Sequence, residues 1–265
     1  MSTQTTPTPT AVPSASRAPV PGPTLLRLTQ VELRKSADTR AGFWLLLVVA
    51  LTSPAVAVLQ MLFAEEEDKT FSMFLANTQL PVALLLPVLG ILLVTSEWSQ
   101  RTAITTFALV PDRSRVLGAK VLAATVLGVL GVLATVLAAA LGSLLTPVLT
   151  SDGTDWTVSG AQVGQVVVVQ VLGILIGVAF GMLLLSSPLA IVLYFVAPTV
   201  VTIVSNLVEA LTWMRDWLDL TTTTAPMYLG ELDGQGWLQV ATSVGLWGVL
   251  PMVAGWLRIE RSEIA

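Results

Sequence analysis

The residues best placed to do work in this sequence lie between Thr95 and Lys120. Glu97 and Arg101 stand four apart, in the order that favours an ion pair on a helix, with Thr102, Thr105 and Thr106 beside them. Phe107, Pro111, Arg113, Arg115 and Lys120 follow. None of these is an activated nucleophile. The 265-residue chain contains no Cys and no His. That removes thiolate and imidazole chemistry, Ser-His-Asp arrangements and the common zinc and haem ligands. No cofactor is expected within the chain. Gly118-Ala119-Lys120 lacks the glycine spacing and the Ser/Thr of a phosphate-binding loop. The cluster therefore offers charge pairing and docking, a mechanical kind of chemistry. The plainer reading of the same residues is a basic loop that only fixes topology.

The elements that must position this loop follow from composition. The chain is 54% hydrophobic and only 11% charged, whereas soluble domains carry about 25% charged residues. Such a chain cannot cover a water-facing surface, but lipid can solvate it. Uncharged stretches predict six transmembrane helices at about 41–64, 79–95, 121–149, 161–185, 189–208 and 237–257. Trp156 to Val208 holds no charge at all. As one helix it would be about 80 Å long against roughly 30 Å of hydrocarbon, so a turn is expected at Ser186-Ser187-Pro188. The runs are uniformly apolar rather than alternating, which favours helices over a barrel. The expected fold class is all-α and polytopic.

Charge sets the orientation. With both termini cytoplasmic, the inner segments hold Arg17, Arg27, Arg34, Lys35, Arg40, Arg101, Arg113, Arg115, Lys120, Arg258 and Arg261. The outer segments hold only Lys69 and Arg215 and carry most of the acids. This matches the positive-inside rule.

Residues 1–23, rich in Thr, Pro, Ser and Ala, are expected to be a disordered tail. Residues 24–40 are expected to form an amphipathic helix on the membrane surface. Leu25, Leu26, Leu28, Val31 and Leu33 make its broad apolar arc, which Glu32 interrupts. Residues 258–265 form a charged tail. Gly173, Gly177 and Gly181 share a helical face and predict close helix packing. Trp213 and Trp217 predict a short helix at the outer interface. No acid or base lies deep in a span, which argues against proton or sodium coupling.

The Glu97–Lys120 stretch resembles the signature region of ABC-2-type permeases, the membrane subunits of many bacterial exporters. In that family an acid ends the second span. A basic residue and a Gly or Thr follow, then a short apolar helix, a proline, a basic pair and a lysine opening the third span. Glu97, Arg101, Thr102, Pro111, Arg113, Arg115 and Lys120 stand at the matching places. Glu32-Leu33-Arg34-Lys35 resembles the connecting helix, and Arg258-Ile259-Glu260-Arg261 the short charged tail. The resemblance covers about residues 24–265. It implies a coupling helix around Glu97–Phe107, including Thr105, seated on a separate ATPase subunit that binds ATP and Mg. It further implies a second permease copy or a homologous one, a bacterial plasma-membrane location, export of a drug, antibiotic or lipid-like compound, and a partly re-entrant last outer loop, around Trp213 and Trp217, that gates the exit. Nucleic acid is not an expected partner. Two rival readings are a non-transporting anchor or immunity-type sensor, and a membrane-bound enzyme built on the outer acids.

Overall fold

The computed structural model describes residues 22–261. The expected tail before residue 22 and the last four residues lie outside them. The protein is 86% helical, with no strand among the described residues. The helices are α1 (Leu25–Asp38), α2 (Arg40–Phe63), α3 (Phe71–Ser99), α4 (Ala103–Leu109), α5 (Arg113–Leu149), α6 (Gly160–Leu184), α7 (Ser187–Leu207), α8 (Thr212–Leu218), α9 (Leu220–Thr224), α10 (Gly234–Val244) and α11 (Leu250–Arg261). A π-turn, Gly245–Val249, joins α10 to α11. Six helices are long and apolar enough to cross a membrane: α2, α3, α5, α6, α7 and the continuous α10–α11. They are the mark of a multi-pass membrane protein.

Two helices outrun their expected spans. The second span is part of a 29-residue helix, and the third belongs to a 37-residue helix that starts at Arg113. Asp112 caps the latter, its Oδ1 accepting from the Arg115 N–H at 3.1 Å. The charged residues before Val121 are thus already helical. The long uncharged run breaks where proline dictates: Leu185 adopts a left-handed conformation (φ 55°), and α7 begins at Ser187.

α3 and α6 form the centre. They run parallel, as shown by contacts from Ser72–Gln162 through Pro87–Gly177 to Ile91–Gly181. Between apolar helices in lipid, association depends on close packing rather than on water exclusion. Gly177 permits that approach, since a Cβ there would lie 2.2 Å from the Pro87 carbonyl oxygen. Gly90 does the same from the other side, against the Ile174 carbonyl oxygen. Gly181 is also tight against Ile91 and Val94, whereas Gly173 meets only ordinary contact, with Pro87 Cγ at 3.8 Å. The glycine face therefore packs within this chain.

Amide side chains cross-link the half of the bundle that holds the α2–α3 and α5–α6 loops. The Gln79 Nε2 donates to Thr135 Oγ1 at 2.6 Å. The Gln162 Nε2 donates to the Ser72 and Tyr228 carbonyls, both at 2.9 Å. Phe71 stacks on Trp156, and the Phe71 N–H donates to the Asp155 carbonyl, joining the α2–α3 and α5–α6 loops.

Gly177→Ala is expected to lower stability by about 1–3 kcal/mol through overpacking, whereas Gly173→Ala should be nearly neutral. Thermal unfolding of the purified variants in detergent checks this. Equal melting temperatures for the two would refute the glycine contact.

Candidate functional site

A ring of four opposite charges lies where α1, α3 and α5 meet. α1 carries Glu32 and Lys35, the end of α3 carries Glu97, and the start of α5 carries Lys120. Lys120 is fully buried, and both carboxylates are nearly so. The Lys120 Nζ donates to Glu32 Oε2 at 2.6 Å and to the Leu93 carbonyl at 2.9 Å. It lies 3.3 Å from Glu97 Oε2. That last contact is ionic only, since Glu97 Oε2 receives no directed hydrogen bond. The Lys35 Nζ closes the ring, donating to Glu32 Oε1 and Glu97 Oε1, each at 2.8 Å.

The ring is electrically neutral, two acids against two bases, as burial demands. Burial disfavours the charged form of Lys35, but Glu32 and then Glu97 outweigh it and raise its pKa above the ordinary lysine value. A raised lysine pKa stabilises the fold at all pH below the unfolded-state value. That contribution fades only as pH rises through the folded-state value, so it is complete at neutral pH.

Here the sequence-based pairing is corrected. Glu97 does not pair with Arg101. α3 ends in a left-handed turn in which Arg101 has φ 56°. The Arg101 N–H donates to the Trp98 carbonyl and the Thr102 N–H to the Glu97 carbonyl, the hydrogen-bond pattern of a Schellman motif. This turn directs the exposed Arg101 away from Glu97, whose carboxylate points into the bundle. Glu32 is corrected too. It does not spoil a lipid-facing surface. Thr29, Glu32 and Ser36 form a buried polar stripe through the middle of the apolar arc, while Leu25, Leu26 and Val31 stay exposed.

α4 stands on this ring. The Thr106 Oγ1 donates to Glu97 Oε1 at 3.2 Å. Phe107 is buried in edge contact with Trp98, and the Arg113 guanidinium lies 5.3 Å from its ring centre. The same guanidinium donates to the Ile259 carbonyl at 2.7 Å, tying the start of α5 to the last helix. Pro111 lies in the break between α4 and α5, where a helical path is disfavoured. Thr102, Thr105, Pro111 and Arg115 are exposed. The opposite face of α4 is apolar and uncovered, with Ile104 51% and Leu109 75% exposed.

At the other end of the bundle, the segment around Trp213 and Trp217 does not lie flat. It enters between helices and returns. The Trp247 Nε1 donates to the Leu218 carbonyl at 2.7 Å. Trp247 lies in the π-turn, about 20 Å along its helix from Gly234 at 1.5 Å per residue. Leu220 packs with Ile176, Phe180, Tyr194 and Trp247, and Thr223 bonds Ser243 at 2.8 Å. Trp213 is half-exposed and Trp217 partly buried. Asp219, fully buried, caps α9 at the tip through Thr221 and Thr222.

Among the described residues no group of His, Cys, Asp and Glu could hold a metal ion. Lys35 and Glu32 were visible in the sequence only as part of a terminal motif. The available signal was an acid inside an otherwise apolar helical arc, which calls for a buried partner. No family model matches the chain, and no curated protein matches it.

Lys120→Met leaves two buried carboxylates facing one ammonium and is expected to cost about 3–5 kcal/mol. Adding Glu32→Gln should recover part of that, with a coupling of about 0.5–3 kcal/mol. Arg101→Gly, which relieves a left-handed non-glycine residue, should be neutral or stabilising. Thermal unfolding of the parent, Lys120→Met, Glu32→Gln, the double variant and Arg101→Gly reads all three effects. A Lys120→Met protein as stable as the parent would remove the ring from the account.

Proposed function

We propose that this chain is the membrane-spanning permease subunit of an ATP-binding-cassette exporter, and that α4 is the element through which a separate ATPase subunit moves it. One observation carries this reading. A seven-residue helix with an uncovered apolar face is clamped to a buried charge ring that joins three helices. A loop that merely fixed topology would need positive charge but no such foundation.

In this reading the ATPase accepts Ile104, Thr105 and Leu109 in a groove, and ATP with Mg is bound and hydrolysed there. Closure of two ATPases pushes α4, and the ring passes the displacement to α1, α3 and α5. On this reading α4 and both termini lie in the cytoplasm of a bacterial cell, an orientation that the positive-inside bias supports. A second permease, identical or homologous, completes the pore. The hairpin pinned by Trp247 then stands at the outer exit. The substrate class is apolar or amphipathic, because the buried acids and bases are already engaged, Glu97 and Lys120 in the ring and Asp219 in capping α9, rather than standing free to serve an ion.

Ile104→Glu combined with Leu109→Glu is expected to abolish co-purification with a co-expressed ATP-binding subunit from the same source. It should cut ATP-driven substrate transport in vesicles at least tenfold while leaving membrane insertion unchanged. Both residues are exposed, so the fold should tolerate the charges. Full ATPase capture by the double variant would refute α4 as the coupling element.

A further inference from the structure

We propose that the cavity between α1, α2 and α3 binds one anionic phospholipid of the inner leaflet, its phosphate held by Arg40 and Lys35 and an acyl chain laid over Leu89, Leu92 and Leu93. The proposal shares the membrane orientation of the functional reading but does not depend on any ATPase.

The cavity holds about 490 Å³, within the range of sites that enclose a substantial part of a small ligand. Its walls divide by chemistry. Leu89 and Leu93 are buried and Leu92 is half-buried along its depth, while Arg40, Ser99 and Gln100 are exposed at its mouth. An apolar floor beneath a polar rim suits an amphiphile better than a free ion.

The charge balance fixes the sign of the head group. Glu32 also lines the cavity, but Lys35 and Lys120 neutralise it. Arg40 has no ion pair and no side-chain hydrogen bond among the described residues, which leaves one uncompensated positive charge at the mouth. Lys35 adds capacity. Its ammonium has three N–H groups, two of which serve the ring carboxylates. Its side chain is 43% exposed. One further donor is therefore free to meet an anion beside Arg40. Arg and Lys are the residues suited to phosphate oxygens.

Depth agrees as well. Phe43 and Trp44 follow Arg40 by one turn, and both are more than half exposed. Aromatic side chains in such positions collect at the level of the lipid head groups. Basic pockets between helices at the cytoplasmic face recognise anionic lipid heads. The helix elbow beside the cavity is tight, which fixes the angle between α1 and α2. Thr39 Oγ1 caps α2 by accepting the Gly42 N–H at 3.2 Å, and a Cβ on Gly42 would lie 1.9 Å from the Ser36 carbonyl oxygen.

The absence of native cysteine makes the test direct. Ser99→Cys, labelled with an environment-sensitive fluorophore in lipid-stripped detergent-purified protein, reports on the cavity mouth. Lysophosphatidylglycerol should give a saturable shift, lysophosphatidylcholine should bind at least tenfold more weakly, and inorganic phosphate should give none. Arg40→Gln should weaken lysophosphatidylglycerol about tenfold. Leu92→Trp, which fills the floor, should abolish the response even if the arginine contributes little. Equal response to both lipids would mean nonspecific partition, and saturation by phosphate alone would mean a free-anion site; either overturns the proposal. Indifference to both substitutions overturns it too. Failure of ATPase capture by the unmodified chain would leave this titration unaffected, so the two ideas fail separately.

Discussion

Taking a carboxylate or an ammonium out of water costs several kcal/mol even after the protein relaxes, and this bundle does so three times in one place, with the half-buried Lys35 beside them. The arrangement is tolerable only because Glu32, Lys35, Glu97 and Lys120 close a cycle in which each charge touches two of opposite sign. Such a cycle has strict geometry. Moving any one helix lengthens two contacts at once, so α1, α3 and α5 are held to a common position where the rest of the membrane domain offers mostly nondirectional apolar packing. The short helix α4 inherits that stiffness through the Thr106 bond to Glu97.

The centre of the bundle solves a different problem with different means. Lipid offers no hydrophobic reward for bringing α3 and α6 together, so backbone proximity has to do it. Gly90 and Gly177 face each other's helices reciprocally, and Gly255 allows α11 to reach the Met182–Leu183 backbone of α6. A glycine-lined centre and a charged end divide the labour: dispersion contacts hold the helices close, and ion pairs fix which helices stay in register.

The spans were legible because their signal is long and one-dimensional. Runs without charge must cross lipid, and Pro188 marks where one run must turn. The extra turns of α5 were not legible, since charged residues beyond the hydrocarbon carry no apolar signal although they continue the same helix; those at the start of α3 are uncharged, but Ser72, Asn77 and Thr78 blur the edge of its apolar run. The Glu97–Arg101 expectation failed for a local reason: the helix ends in a left-handed turn between the two, which the four-residue spacing cannot reveal. Glu32 was seen as a flaw because its partner Lys120 is remote in sequence. The three evenly spaced glycines were found by their period, but Gly173 turned out to be the loose one. Gly90 and Gly255, which matter more, have no such period. The tryptophan segment was read as surface-bound because amphipathic aromatic residues prefer an interface. Burial of Asp219 and the bond from Trp247 to Leu218 override that preference.

The unusual length of α5 changes how a small motion at one end would be felt at the other. Lys120 sits near its beginning and Leu149 at its end, about 44 Å away at the helical rise. A rigid rod of that reach, tilted by only about 5° about its charged foot, sweeps its tip through about 4 Å, close to the width of a methylene chain. Phe74 wedges against Gly142 near that tip, so such a tilt would be felt in the half of the bundle that holds the α2–α3 loop. α5 is thus a lever whose short arm is ionic and whose long arm is greased with alanine, valine and leucine.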